Sequence, residues 1–201
     1  MLVTHRGLAQ EYEDTETGTR YFSVSQIRRV AHDPFAGLPK DYLDAARERG
    51  TLVHRFLWQH LFARAGLIDF PPLIPTLEGY CTSIVDWAAA RQIKAVQLEA
   101  KGVNREEGYA GQVDGQVLYG PKEILTLMDG KTGDPTLTDP MQLLLYDAME
   151  GFKSKQLLDI YFRPDGSAKE VFVDVRKKVT EWPWAMAALN VLRGRVNHGC
   201  G

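Results

Sequence analysis

The sequence predicts an α+β (α/β) fold, a central mixed sheet flanked by helices. Three observations carry that expectation. Residues up to about 94 show helical apolar spacing, β-type segments cut by Gly-containing turns begin at about 95, and helical patterns return twice among the later strands. The order along the chain is therefore helices, strands, a helix, strands and a final helix. One domain over 1–201 is expected, with 1–94 mainly helical and 95–201 forming the sheet core.

Each element has its own signal. YFSVSQIRRVAH, residues 21–32, looks like a short helix opened by Ser23 or Ser25. DYLDAARERGTLVHRFLWQHLFARAG, residues 41–66, reads as a long amphipathic helix with Leu52, Val53, Phe56, Leu57 and Leu61 as its apolar positions. The Pro-rich DFPPLIP ends it, and TLEGYCTSIVDWAAARQ is a third helical pattern. Strands are expected at about 95–107, 109–118 and 122–129 as a three-stranded meander. A helix at 138–151, strands at 156–163 and 168–175 around the turn RPDGS, and a helix at 179–194 complete the reading. The chain shows no internal repeat and no low-complexity segment.

Composition narrows the class. With 44% hydrophobic and 25% charged residues in 201, the chain is long enough for one sizeable core. No apolar run approaches the roughly 20 residues that span a bilayer, so no membrane partner is expected. The opening MLVTHRGLAQEYEDTE lacks the pattern of a signal peptide, from which a cytoplasmic location is expected, or the host cytoplasm for a phage-encoded chain. The two cysteines, Cys81 and Cys200, exclude a disulfide framework and a four-thiolate zinc or iron–sulfur site within this chain. Any metal must use oxygen and nitrogen ligands. The net charge of −2 is uneven: residues 1–150 carry 15 Lys+Arg against 21 Asp+Glu, and residues 151–201 carry 9 against 5. The basic run Arg176, Lys177, Lys178 suits either a phosphate backbone or a solvated helix start.

The chemistry concentrates in LMDGKTGD, residues 127–134. A strand over 123–131 places Leu125, Leu127, Asp129 and Lys131 on one face, so acid and base emerge together where the apolar run stops. One strand earlier, GYAGQVDG sets Asp114 between glycines, where antiparallel pairing brings it near Asp129. Two carboxylates beside a lysine are costly unless a divalent cation compensates. A surface ion pair with Asp114 as a turn residue is the plainer alternative.

These motifs, taken in order, resemble the PD-(D/E)XK nuclease superfamily and its RecB-like exonuclease branch. The order is Gly50 and His54 in RERGTLVH, Asp114 in GQVDG, Asp129-x-Lys131, then Gln142 and Tyr146 at i, i+4 on a helix. The resemblance covers most of the chain and implies a restriction-endonuclease-like core with an N-terminal helical cover. It implies that His54, Asp114, Asp129 and the carbonyl of Gly130 bind Mg²⁺ or Mn²⁺, with no iron–sulfur cluster, and that Asp114, Asp129 and Lys131 carry catalysis. Lys131 would position or help deprotonate the attacking water. Gln142 and Tyr146 would contact nucleic acid. Glu99 in VQLEAKG matches an acid that precedes the Asp strand in relatives, and Ser25 resembles a serine near the DNA end. Two departures stand out: DGK stands where the family usually has Glu, or Asp followed by an aromatic, so the acid still suits a metal while the glycine is expected to loosen the strand end, and the cysteines of the iron–sulfur members are missing.

The expected activity is that of a metal-dependent deoxyribonuclease, an end-dependent exonuclease favouring single strands, in recombination, repair or phage DNA processing. Its expected partners are DNA ends, single-stranded or duplex, with a recombination or single-strand-binding protein as a further possibility. The alternatives are a DNA-end-binding accessory protein with little catalysis and an enzyme acting on a different phosphoester. End dependence follows from the absence of a module that reads base edges and from N-terminal helices that arch over the site in relatives, with Tyr146 offering a stacking face.

Overall fold

The computed structural model describes residues 2–6, 10–33 and 36–198, and Cys200 lies outside them. Among the described residues the chain is α+β, with five α-helices and two mixed five-stranded sheets. No helix among them is long and apolar enough to cross a membrane.

Three strands that sequence periodicity did not suggest come first: β1 (Leu2–Arg6), β2 (Gln10–Asp14) and β3 (Thr19–Ser23). The helical character of the first 94 residues therefore begins only at Val24. Their inward positions include Tyr12, Asp14, Tyr21 and Ser23, all buried. Two of these four are polar, so the alternation carries almost no hydrophobic signal. Ser23 then opens α1 (Val24–Ala31) with a capping box to Gln26. Next come α2 (Lys40–Arg64) and α3 (Glu78–Ala90).

The expected meander takes a different form. Its first two strands are each broken in the middle: β4 (Lys94–Leu98) and β5 (Lys101–Asn104), then β6 (Tyr109–Gln112) and β7 (Gly115–Tyr119). β4 pairs with β7 in one sheet and β5 with β6 in the other, so a single long hairpin bends from sheet to sheet. At the bend Glu99 adopts a φ of 53°, and its N–H donates to the Asp114 carbonyl at 3.1 Å. Asp114 thus sits at a corner of the backbone, which aims its side chain away from the regular pleat.

β8 (Ile124–Lys131) runs antiparallel to β7 and parallel to β9 (Gln156–Phe162), with α4 (Asp139–Asp147) as the crossover. β10 (Ala168–Val173) closes the order β10-β9-β8-β7-β4, and α5 (Lys178–His198) follows. The basic run lies at the start of α5, and Arg176 is paired with Asp174.

The two-residue period of β8 and β9 divides the core. Leu127 and Leu157 pack with α1, α4 and α5 through Ile27, Met141, Leu145 and Leu189. Met128, Leu158, Ile160 and Phe162 pack against α2 and α3 through Leu57, Leu61, Ile84 and Trp87. Asp129, Lys131, Asp159 and Tyr161 continue the α4-facing rows, with Asp129 opposite Asp159 and Lys131 opposite Tyr161. A strand pair buried on both faces thereby delivers four polar side chains to one spot.

Candidate active site

A cavity of about 570 Å³ opens above that spot, lined by His54, Asp114, Asp129, Gly130, Lys131, Gln142 and Tyr146 together with Arg28 and Asp139. One wall is the first half of α2, from Tyr42 to His54, and the other is the Thr132–Thr136 loop leading into α4.

The anchor on the α2 side is His54, whose Nδ1 lies 3.2 Å from Asp114 Oδ1. Burial alone would lower its pKa, but the Asp114 charge and hydrogen bond outweigh burial and lift it to about 9. Asp114 in turn is held below its ordinary value, because His54 and the N–H of Gly130, at 2.7 Å from Oδ2, outweigh the burial that would raise it.

Gly130 permits a close approach. A Cβ there would lie 3.0 Å from Leu57 Cδ2 and 3.2 Å from Phe162 Cε2, where α2 meets the sheet. Far from loosening the strand end, Gly130 stays in register opposite Ile160 and is buried. The missing side chain leaves room for the close contact of β8 with α2, the helix that also carries His54.

Lys131 Nζ donates to Asp129 Oδ2 and, at 2.8 Å, to Gln142 Oε1, and stands 3.6 Å from both Asp139 Oδ1 and Asp159 Oδ1. Burial would lower the lysine pKa, but Asp129 and Asp159 reverse this and raise it, so the amine is an ammonium. The Asp129 carboxyl is raised, since burial and the nearby Asp114 charge prevail over the Lys131 ammonium.

Gln142 is the hub of the network. Its Nε2 donates to Asp129 Oδ1 and to the Tyr146 hydroxyl, each at 3.0 Å, and its Oε1 also accepts from Arg28 Nη1. The Tyr146 ring, by contrast, is 4% exposed and presses on Gly111, where a Cβ would lie 2.7 Å from Cε1. It leaves no open face for a base to stack on.

Two expected positions stay outside the cavity lining. Ser25 is exposed on the first turn of α1, whose cap is Ser23. Glu99 donates its backbone N–H to Asp114, and burial raises its carboxyl against a Gln112 hydrogen bond, with the Asp114 charge adding to the rise.

Three contributors were missed by sequence reasoning. Arg28 donates to Asp139 Oδ1 at 2.7 Å as well as to Gln142. Asp139 accepts further hydrogen bonds from the Thr136 N–H at 2.7 Å, the Thr136 hydroxyl at 2.8 Å and the Tyr161 hydroxyl at 2.8 Å. Asp159 is fully buried, and neither of its carboxylate oxygens has a hydrogen-bond partner among the described residues. Burial pushes its pKa up to about 7 against the opposing pull of Lys131. A signal for Asp159 was available: QLLDIYF is an apolar strand with one acid inside it, the same pattern as LTLMDGK.

In kind, the donors fit a hard divalent cation: two buried carboxylates, one imidazole and a backbone carbonyl at Gly130, all from residues that line the cavity. In arrangement, His54, Asp114 and Asp129 are each turned to a protein partner, and no three acidic, His or Cys side chains among the described residues form a ready cage. No family model matches the chain, and no curated protein matches it.

Proposed function

We propose that this chain is a Mg²⁺- or Mn²⁺-dependent deoxyribonuclease that hydrolyses phosphodiester bonds from DNA ends, favours single strands, and serves recombination, repair or phage DNA processing. The observation that carries the reading is convergence. His54 from α2, Asp114 from the hairpin corner, Asp129 and Lys131 from β8, and Gln142 from α4 are up to 88 positions apart in the sequence and line one cavity.

In this reading His54, Asp114, Asp129 and the Gly130 carbonyl would hold the ion. When bound, such an ion lowers the pKa of a water and offsets charge gathering on the phosphate. The Lys131 ammonium orients the attacking water or a phosphate oxygen as a fixed donor, since its raised pKa keeps its proton in place. Gln142 holds Lys131 and Asp129 in mutual register, and Arg28 fixes Gln142 and the start of α4. The sheet β10-β9-β8-β7-β4 is then a restriction-endonuclease-like core. The exposed first half of α2 is its cover, a wall that favours a strand entering by an end.

The test is incubation of labelled linear and covalently closed single-stranded DNA of one sequence with Mg²⁺ or Mn²⁺. Progressive loss of the linear strand with persistence of the circle is expected. Equal loss of both removes end dependence, and no loss of either under any metal removes the nuclease reading.

A further inference from the structure

The resting network poses a problem for the proposed metal site. Both Asp129 oxygens are engaged, Oδ2 by Lys131 and Oδ1 by Gln142. A cation that takes Asp129 as ligand must displace one of these donors, and an ammonium is the group a cation repels. Lys131 therefore needs somewhere to go. Release into the cavity would leave a cluster of buried acids without their counter-charge, which is strongly unfavourable.

Two carboxylates other than Asp129 stand within reach, each 3.6 Å from Nζ. Asp139 is already saturated by Arg28, Thr136 and Tyr161. Asp159 is not: it is 0% exposed and both its oxygens lack hydrogen-bond partners among the described residues. A buried carboxylate left in that condition costs free energy, so its presence asks for an explanation.

Strand geometry supplies the route. β8 and β9 run parallel with Asp129 opposite Asp159, and Lys131 lies on the same face two residues on. The ammonium thus sits between two aligned carboxylates. Closing 3.6 Å to the roughly 2.8 Å of a charged hydrogen bond needs a shift of under about 1 Å, within the reach of a lysine side chain without backbone movement.

We propose that Asp159 is a positioning residue, the alternative seat of the Lys131 ammonium: when a divalent cation enters between Asp114 and Asp129, Lys131 leaves Asp129 for Asp159 and so frees the carboxylate that binds the ion. The ammonium exchanges one carboxylate for another, and where Asp159 carries its proton at rest, with its pKa raised to about 7, that proton passes to water as the ammonium arrives. Asp159 touches neither the ion nor DNA. The inference rests on the metal-dependent reading above and explains why the donors of that site are satisfied by one another at rest.

The test uses Mn²⁺ alone, without DNA, followed by calorimetry on wild type, Asp159→Asn, Lys131→Met and the double variant. Asp159→Asn is expected to weaken Mn²⁺ about tenfold, in the range that partners of metal ligands command. In the Lys131→Met background, with no ammonium to relocate, the same change is expected to leave Mn²⁺ affinity within about twofold. Unchanged affinity in Asp159→Asn overturns the proposal, as does an equal loss in both backgrounds, which would mean that Asp159 acts on the ion or the fold directly. A crystal structure of the wild type with Mn²⁺ is an independent check: Nζ hydrogen-bonded to Asp159 supports the proposal, and Nζ still on Asp129 overturns it. A wild type that takes up no Mn²⁺ removes the metal-dependent reading and this inference together. Mn²⁺ uptake with the expected coupling but no DNA cleavage removes the nuclease reading alone.

Discussion

Two acids on the same sheet show what separates structural from functional polarity here. Glu170, on β10, accepts from Trp87 Nε1 at 2.8 Å, from Arg91 Nε at 3.1 Å and from the Tyr119 hydroxyl at 2.8 Å. Burial would raise its carboxyl, yet these three donors hold it below its ordinary value. Asp159, one strand away, has no hydrogen bond among the described residues and is raised to about 7. Glu170 ties α3 to the sheet and gains from every contact. Asp159 costs stability where it stands, which a fold tolerates where another requirement is met.

The contrast is broken most severely through the cations. Lys131→Met should lower cleavage roughly 10³-fold, the scale of losing a fixed donor at developing charge. Arg91→Met, which removes the cationic partner of Glu170 and leaves its Trp87 and Tyr119 donors, should leave cleavage within about twofold, because Arg91 lies outside the cavity lining. Matched circular dichroism spectra establish that both variants fold. Wild-type cleavage by Lys131→Met would take Lys131 out of the site.

The acids themselves come next. Glu170→Gln should destabilise by roughly 1–3 kcal/mol, since three donors lose a charged acceptor. Asp159→Asn should do the reverse at neutral and alkaline pH. Its pKa is raised on folding from 3.8 to about 7, so the folded chain keeps a proton that the unfolded chain has already released. That penalty is absent below about 4 and grows until about 7, so the asparagine variant should gain on wild type over that interval. Denaturant titrations at pH 4 and pH 8 read the difference, and a gap that shrinks with rising pH would contradict the assignment.

His54 gives a smaller, oppositely signed pH effect. Its pKa is raised from 6.5 to about 9 by the balance of burial against Asp114, so its pairing contributes fully below about 6.5 and is lost as pH rises through 9. The stability gap between wild type and His54→Ala, roughly 1–2 kcal/mol with the side chain 26% exposed, should therefore close between pH 6 and pH 10. The same variant should need more Mn²⁺ for activity. Persistence of the gap at pH 10 would show that the imidazole packs without titrating.

The smallest contrast is between two tyrosines. Tyr119→Phe removes a donor from Glu170, and Tyr146→Phe removes the acceptor of one Gln142 hydrogen bond. Each should cost about 1 kcal/mol or less. Tyr146→Phe should reduce turnover a few-fold through Gln142 with Mn²⁺ affinity unchanged, and a tenfold fall in that affinity would tie Tyr146 to the metal site.

Much of this was legible in the chain as written. The period of LTLMDGK put Asp129 and Lys131 on one face, the helical spacing of 41–66 put His54 beside an apolar stripe, and QLLLY put Gln142 and Tyr146 one turn apart. Those are local relations, settled by backbone geometry over a few residues. What tertiary structure alone decided is longer in range. Asp159 carries the same local signature as Asp129, and nothing within seven residues says which of the two is satisfied. That depends on parallel pairing of β8 with β9 across the α4 crossover and on Lys131 having a single ammonium to give. The bend that turns Asp114 into a corner depends on one hairpin serving two sheets, one of which includes strands with polar residues among their buried positions and no readable period. Gly130 reads as weakness in sequence because its missing side chain is visible there, whereas the helix that occupies the space is 73 residues away. Burial and hydrogen-bond satisfaction belong to pairs of groups brought together by the fold, and the sequence names only the members.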